Sequence, residues 1–218
     1  MTAEFYNAIR SGDRQEVERL LLINPKLIRS TEKGLSPVLV AAYHLEPHLA
    51  DFFADKKVTL NIFEASAIGR TTHIVRLLAR EPELVNSFAD DGFQPLGLAC
   101  FFGHLETADY LVRAGASLNT SSNNGLNATP LQSAVAGNHI DLTKMLLKSG
   151  ANPNVREGGG FTPLHAAAKN GNGEIIQLLI FAGADLQIRS DDGKLPLDLA
   201  IEKGHSQAAE ILKKEITS

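Results

Sequence analysis

The sequence predicts an all-α solenoid, a row of short helix pairs that share one elongated core. Three observations carry this. A Thr-Pro-Leu tripeptide or a relative of it recurs at a spacing near 33 residues. Each copy is followed by two stretches with helical apolar spacing, and the better copies close on a Gly-Ala or Pro break and a polar turn. A pair of such short helices cannot bury its apolar stripe alone, so neighbouring pairs must stack.

The best-preserved copy is Thr162-Pro163-Leu164-His165-Ala166-Ala167-Ala168. Thr129-Pro130-Leu131 stands 33 residues before it and Leu195-Pro196-Leu197 stands 33 after. Gln94-Pro95-Leu96 and Ser36-Pro37-Val38 lie further back, and Ala3-Glu4-Phe5 and Leu60-Asn61-Ile62 are degenerate copies. These markers divide a single domain, 1–218, into seven units: about 1–33 as an N-terminal cap, a shortened 34–57, then 58–91, 92–126, 127–159, 160–192, and 193–218 as a C-terminal cap.

Within a unit the first helix starts at the marker. A Ser or Thr hydroxyl accepts from a free backbone N–H, and Pro suits the next position because its missing N–H is not needed there. Small residues such as Ala166, Ala167 and Ala168 permit close helix approach, and a Gly, or Asn138, ends the helix. The second helix is amphipathic, with Leu142, Met145 and Leu146, or Val17, Leu20 and Leu21, at i, i+3, i+4 spacing. Gly115-Ala116, Gly150-Ala151 and Gly183-Ala184 break it. In units 1 and 3, Asn24-Pro25 and Glu81-Pro82 take over that role. Asp91-Gly92, Asn124-Gly125, Gly158-Gly159-Gly160 and Asp192-Gly193 then predict tight hairpins.

Two spacings depart from the period. Ser36 to Leu60 is 24 residues, which predicts a link between units 2 and 3 without a projecting finger. Gln94 to Thr129 is 35, which predicts an enlarged polar finger within Thr120 to Asn127. The outermost units carry polar residues suited to closing a stack: Glu4, Asn7, Arg10, Asp13, Arg14 and Gln15 in the first, and Glu210, Lys213, Lys214 and Glu215 in the last.

The repeat resembles the ankyrin family on its TPLHAAA segment, the 33-residue period and the three Gly-Ala breaks. Ankyrin resemblance implies a curved, right-handed stack in which inner helices and short β-hairpin fingers line a concave face. The irregular early units and the short 2–3 link resemble stand-alone bacterial members. The resemblance also implies that His104, His139, His165 and His205 brace loops and neighbouring repeats. It further places the residue before each marker, and the two before each helix-ending position, on the groove: Leu35, Tyr43 and His44; Phe93, Phe101 and Phe102; Ala128, Ala136 and Gly137; Phe161, Lys169 and Asn170; Lys194, Glu202 and Lys203.

Composition narrows the function. With 44% hydrophobic and 21% charged residues, the chain reads as globular. A formal charge of −4 speaks against nucleic acid as a partner. No apolar run approaches a membrane span, and no leader is apparent at Met1. The single cysteine, Cys100, is expected to pack inertly in a reducing, cytoplasmic setting. Gly158-Gly159-Gly160 lacks the Lys and Ser/Thr of a phosphate loop. His44 and His48 share i, i+4 spacing, but Pro47 between them opposes a common helix and hence a metal site. No cofactor and no catalytic residue is expected.

The expectation is therefore a non-enzymatic, monomeric module that binds a partner protein through the groove and the finger tips. Its site residues are Tyr43, Phe93, Phe101, Phe102, Phe161, Lys169, Lys194 and Asp191. Five of them are aromatic, and aromatic side chains anchor interfaces. Against this, some of these rings would pack on adjacent units, with Phe102 placed to cover the missing finger. A purely structural scaffold and a metal-dependent enzyme are the rival readings.

Overall fold

The computed structural model describes residues 1–56 and 59–217. Its α-helices follow one another in pairs: α1 (Thr2–Arg10) and α2 (Arg14–Ile23), α3 (Pro37–Tyr43) and α4 (Pro47–Lys56), α5 (Ile62–Ala67) and α6 (Thr71–Leu78), α7 (Pro95–Phe101) and α8 (Leu105–Arg113), α9 (Pro130–Ala136) and α10 (Ile140–Lys148), α11 (Pro163–Asn170) and α12 (Gly173–Phe181), α13 (Pro196–Glu202) and α14 (Ser206–Ile216). The first helices form an inner row, each packed on the next from α1 to α13; the second helices form an outer row, closely packed from α6 to α14. One continuous core runs from Phe5 and Tyr6 to Leu212.

The inner helices start as their markers dictate. Ser36 Oγ accepts from the Leu39 N–H at 3.4 Å, and Thr129 Oγ1 from the Gln132 N–H at 3.3 Å. Thr162 works in reverse: its N–H donates to His165 Nδ1 at 3.1 Å, and its hydroxyl lies 2.8 Å from the same nitrogen. In unit 3 the cap is Asn61, one residue later than the Leu60 marker. Asn61 Oδ1 accepts from the Glu64 N–H, and the Glu64 carboxylate accepts from the Asn61 N–H. In unit 7 the marker Leu195 itself caps α13, its N–H donating to Asp198 Oδ2 at 2.8 Å.

Pro25 and Pro82 act as expected. The outer helices stop at Ile23 and Leu78, and each proline opens a short 3-10 helix, Pro25–Arg29 and Pro82–Asn86. Three asparagines at equivalent positions then tie neighbouring units together. Asn86 accepts from the Ser117 N–H and donates to the Gly115 carbonyl; Asn119 accepts from the Asn152 N–H; Asn154 accepts from the Asp185 N–H and donates to the Gly183 carbonyl.

The fingers are tight turns rather than β-hairpins. Among the described residues no strand forms, and the sole bridge, Glu32 with Leu35, is isolated. Ala89, Glu157 and Ser190 each donate to the carbonyl four residues on, Phe93, Phe161 and Lys194. The chain then enters the next helix cap at once, which leaves no room for a ladder. The enlarged finger closes from Ser122 to Ala128, two residues wider, as the 35-residue spacing requires. Its left-handed residue is Asn127 (φ 51°), not Gly125. The tips join one another: Asn123 N–H to the Gly92 carbonyl at 2.7 Å, Gly158 N–H to Leu126 at 2.8 Å, and Asp191 N–H to Gly159 at 2.9 Å. The finger-less link between units 2 and 3 falls in part on Lys57 and Val58, which lie outside the described residues.

Histidines brace the stack. His104, His139 and His205 stand at the starts of α8, α10 and α14, and the Nε2 atoms lie 2.9, 3.2 and 3.0 Å from the carbonyls of Ala67, Phe101 and Lys169 in the preceding unit. Each ring fills the space over a left-handed glycine. A Cβ on Gly69, Gly103 or Gly171 would stand 2.6, 2.6 or 2.5 Å from the imidazole, so glycine is required there by both φ and space. The two end units differ. The N-terminal unit exposes Glu4, Asn7 and Gln15, whereas the C-terminal unit leaves Ile201 on α13 53% exposed beside its charged residues.

Candidate protein-binding face

The inner face is organised by the C-termini of α3 and α7. Tyr43 ends α3, Phe101 ends α7 and Phe102 follows it. The Tyr43 ring centre lies 5.3 Å from that of Phe102 and 6.2 Å from that of Phe101; Phe101 and Phe102 meet edge to face at 5.0 Å. These rings come from units 2 and 4, so the cluster spans unit 3. The Tyr43 hydroxyl donates to Asp91 Oδ2 at 2.7 Å. Burial, aided by the Asp91 carboxylate, pushes the Tyr43 phenol far above its ordinary range. Asp91 is held in turn by the Phe93 N–H. Beside it, a Cβ on Gly34 would stand 3.0 Å from Asp90 Cβ, so the finger of units 1–2 lies directly against the finger of units 3–4. The tyrosine thus reaches the finger that joins units 3 and 4.

The expected groove aromatics divide into three groups. Phe101 presents 39% of its surface, and Tyr43 and Phe102 are half-buried. Phe161 is half-buried as well: it meets His165 edge-on at 5.6 Å and lies against Gly159 within its own finger. Phe93 does not face the groove. It is 9% exposed, and its ring lies over Gly97, where a Cβ would be only 3.6 Å away. At this register the other inner helices carry a side chain, such as Gln132 or His165; in unit 4 it is glycine, and the phenylalanine fills the space.

The expected charged residues lie further along. Lys169 is exposed at the end of α11, near Glu157, whose carboxyl is raised by desolvation and partly restored by the lysine. Asp191 accepts from Arg156 at 2.7 Å, and the Lys194 ammonium lies 2.8 Å from Glu202. Along the chain, Tyr43, Phe101 and Phe102 of units 2 and 4 precede Ala128, Ala136 and Gly137 of unit 5, whereas Phe161, Lys169, Asp191 and Lys194 follow them. Sequence reading did not single out Phe88 and Leu126, which the fingers hold 44% and 59% exposed. Their only signal was an apolar residue inside a turn-forming segment.

Cys100 is buried and its thiol is pushed far up by desolvation. His44 caps α3 while His48 sits in the first turn of α4, so the pair shares no helix. Among the described residues, no cluster of three or more His, Cys, Asp or Glu side chains is gathered in metal-binding reach. No helix there is long and apolar enough to cross a membrane.

Comparison with known proteins bears on the same residues. A family model for ankyrin repeats (3 copies) matches residues 62–157 and 133–217. The human ankyrin repeat and KH domain-containing protein 1 is 44% identical over 57 residues, which is 26% of this chain and 2% of that protein. The chain thus spans a small fraction of that relative. Ankyrin repeats are generally protein–protein interaction modules and generally lack enzymatic activity. The matched segments extend over well over half of the chain and coincide with the regular helix pairs from α5 to α14; the chain belongs to the ankyrin-repeat family.

Proposed function

We propose that this chain is a non-enzymatic, monomeric binding module of the cytoplasm that captures a partner protein on its inner face and finger tips. The observation that carries the reading is the Tyr43–Phe101–Phe102 cluster. Three aromatic rings from two non-adjacent units are held together at the surface, with Phe101 39% exposed and Tyr43 fixed to Asp91. Pre-held rings lose little entropy on binding. On the seven-unit division of 1–218, we assign Tyr43, Phe101, Phe102 and Phe161 to one face with Lys169, Asp191 and Lys194. A formal charge of −4 supports a protein rather than a nucleic acid as partner.

Affinity capture from native lysate tests this with two variants. Phe101→Ala removes an inner-face ring, and Phe181→Ala removes a 95% exposed ring from the outer row. The expected outcome is that Phe101→Ala loses proteins that both wild type and Phe181→Ala retain. Equal capture by all three would exclude the inner face as the binding surface.

A further inference from the structure

The bracing of the stack fails at one joint, and a cleft opens there. At the other joints the left-handed residue of one unit is covered by the residue that starts the outer helix of the next. Gly69, Gly103 and Gly171 are covered by His104, His139 and His205; Gly12 is covered by the Glu46 carboxylate; Asn138 meets Asn172 at 3.4 Å. Between units 2 and 3 the pair is Leu45 and Arg70. Leu45 is left-handed (φ 58°) and 79% exposed. A branched side chain there costs about 1–2 kcal/mol relative to glycine. Arg70 turns away, to Asp51 at 2.7 Å and Asp55 at 3.5 Å on α4. Leu45 is therefore not covered as the glycines of the other joints are.

The resulting cleft has a volume of about 360 Å³. Ala42, Ala50, Ala67, Ile68 and Phe102 line its walls, with Leu45 and Asp51 also on it. Phe102 belongs both to this cleft and to the Tyr43 cluster, so the cleft continues the inner-face aromatic surface. Asp51 lies on its edge; Asp51 and, beyond the cleft, Asp55 bond the Arg70 guanidinium, and their side chains remain 56% and 76% exposed.

We infer that this cleft takes an apolar side chain adjoining a cation, presented by a segment of the partner protein that crosses the Tyr43–Phe102 surface. The inference rests on the protein-binding reading above. The apolar group fills the cleft between Ala42, Ala67 and Phe102, and the cation meets the exposed Asp51 carboxylate on its edge.

The test uses the full chain and two small probes, 3-phenylpropylamine and 3-phenylpropionate, followed by NMR. The amine is expected to shift resonances of Leu45, Ala50, Ile68 and His104 saturably, with a dissociation constant on the order of millimolar for so small a ligand. The carboxylate should bind about tenfold more weakly or not at all. Leu45→Gly with Arg70→His restores the bracing pair found at the other joints. It should raise the melting temperature and abolish the shifts, so lost binding is not confused with unfolding. Asp51→Asn, an exposed substitution, should narrow the preference for the amine over the carboxylate. Equal binding of both probes, shifts elsewhere on the chain, or undiminished binding by the folded double variant would each overturn the cleft. If Phe101→Ala abolishes protein capture and the double variant does not, the cleft proposal fails while the protein-binding reading stands. If neither affects capture, both fall.

Discussion

His165 and Gln132 hold the same register position, three residues past their markers, and make the same two bonds. Gln132 Oε1 accepts from the Thr129 N–H at 2.8 Å, and its Nε2 donates to the Phe161 carbonyl at 3.1 Å. His165 Nδ1 accepts from the Thr162 N–H, and its Nε2 lies 3.0 Å from the Lys194 carbonyl. An accepting Nδ1 leaves Nε2 as the donor, which assigns one neutral tautomer. Burial likewise lowers the His165 pKa, opposed by the Lys194 bond, and lowers that of His104. The unfolded chain then binds more protons below about pH 6.5, so stability falls as pH drops through that range. His165→Gln should keep the wild-type melt at pH 7.5 to within about 1 kcal/mol, because glutamine makes the same bonds one unit earlier. It should also lose less stability than wild type between pH 7.5 and 5.5. Identical pH profiles in denaturant titrations would refute the assignment. Tyr43→Phe belongs to the same scale. Removing a hydrogen bond to a carboxylate at a half-buried site should cost about 1–2 kcal/mol, measured by urea denaturation.

Finger contacts set the order of the stack at the next scale, and two glycines separate their contribution from backbone strain. Gly160 (φ 74°) and Gly193 (φ 78°) are both left-handed. A Cβ on Gly193 meets nothing within 4 Å, whereas one on Gly160 would run into Arg156 and Asp191. Gly193→Ala should cost only the left-handed penalty, about 1–2 kcal/mol. Gly160→Ala should cost at least about 1 kcal/mol more by displacing the Arg156–Asp191 pair and the Asp191–Gly159 tip bond; equal costs in equilibrium unfolding would show that the tips do not couple. Much of this level was legible in the sequence. The period placed the inner helices, the prolines placed the breaks at Pro25 and Pro82, and the spacing of 35 foretold the wider finger. Phe93 was misplaced because its orientation depends on Gly97, a contact between side chain and helix that no period encodes. That no strand forms among the described residues was equally hidden, since turn residues specify a reversal of the chain but not how many bonds follow it.

For the whole molecule, a stack gains stability from each unit and each joint separately, so one weak joint can divide its cooperativity. The joint between units 2 and 3 lacks the covered glycine, carries a strained Leu45 and leaves a cleft. Besides the packing of α3 on α5, it is held by the Tyr43 bond to Asp91 and the contact of Gly34 with Asp90, both at the finger that joins units 3 and 4, and by the rings of Phe101 and Phe102 from unit 4. The ring contacts were not readable from the repeat pattern, because the pattern pairs adjacent units and the rings of Tyr43, Phe101 and Phe102 skip one. The consequence is a ranking of local opening energies along the chain. In native-state hydrogen exchange, amides of α1 to α4 should open together at a lower free energy than those of α7 to α12. Tyr43→Ala, which removes both the hydrogen bond and the ring contacts, should widen that gap by lowering the first block alone. Leu45→Gly with Arg70→His should narrow it. Uniform exchange across α1 to α12 in wild type would show that these contacts fully replace the missing brace. A Tyr43→Ala variant that lowered both blocks equally would show that the stack opens as one unit.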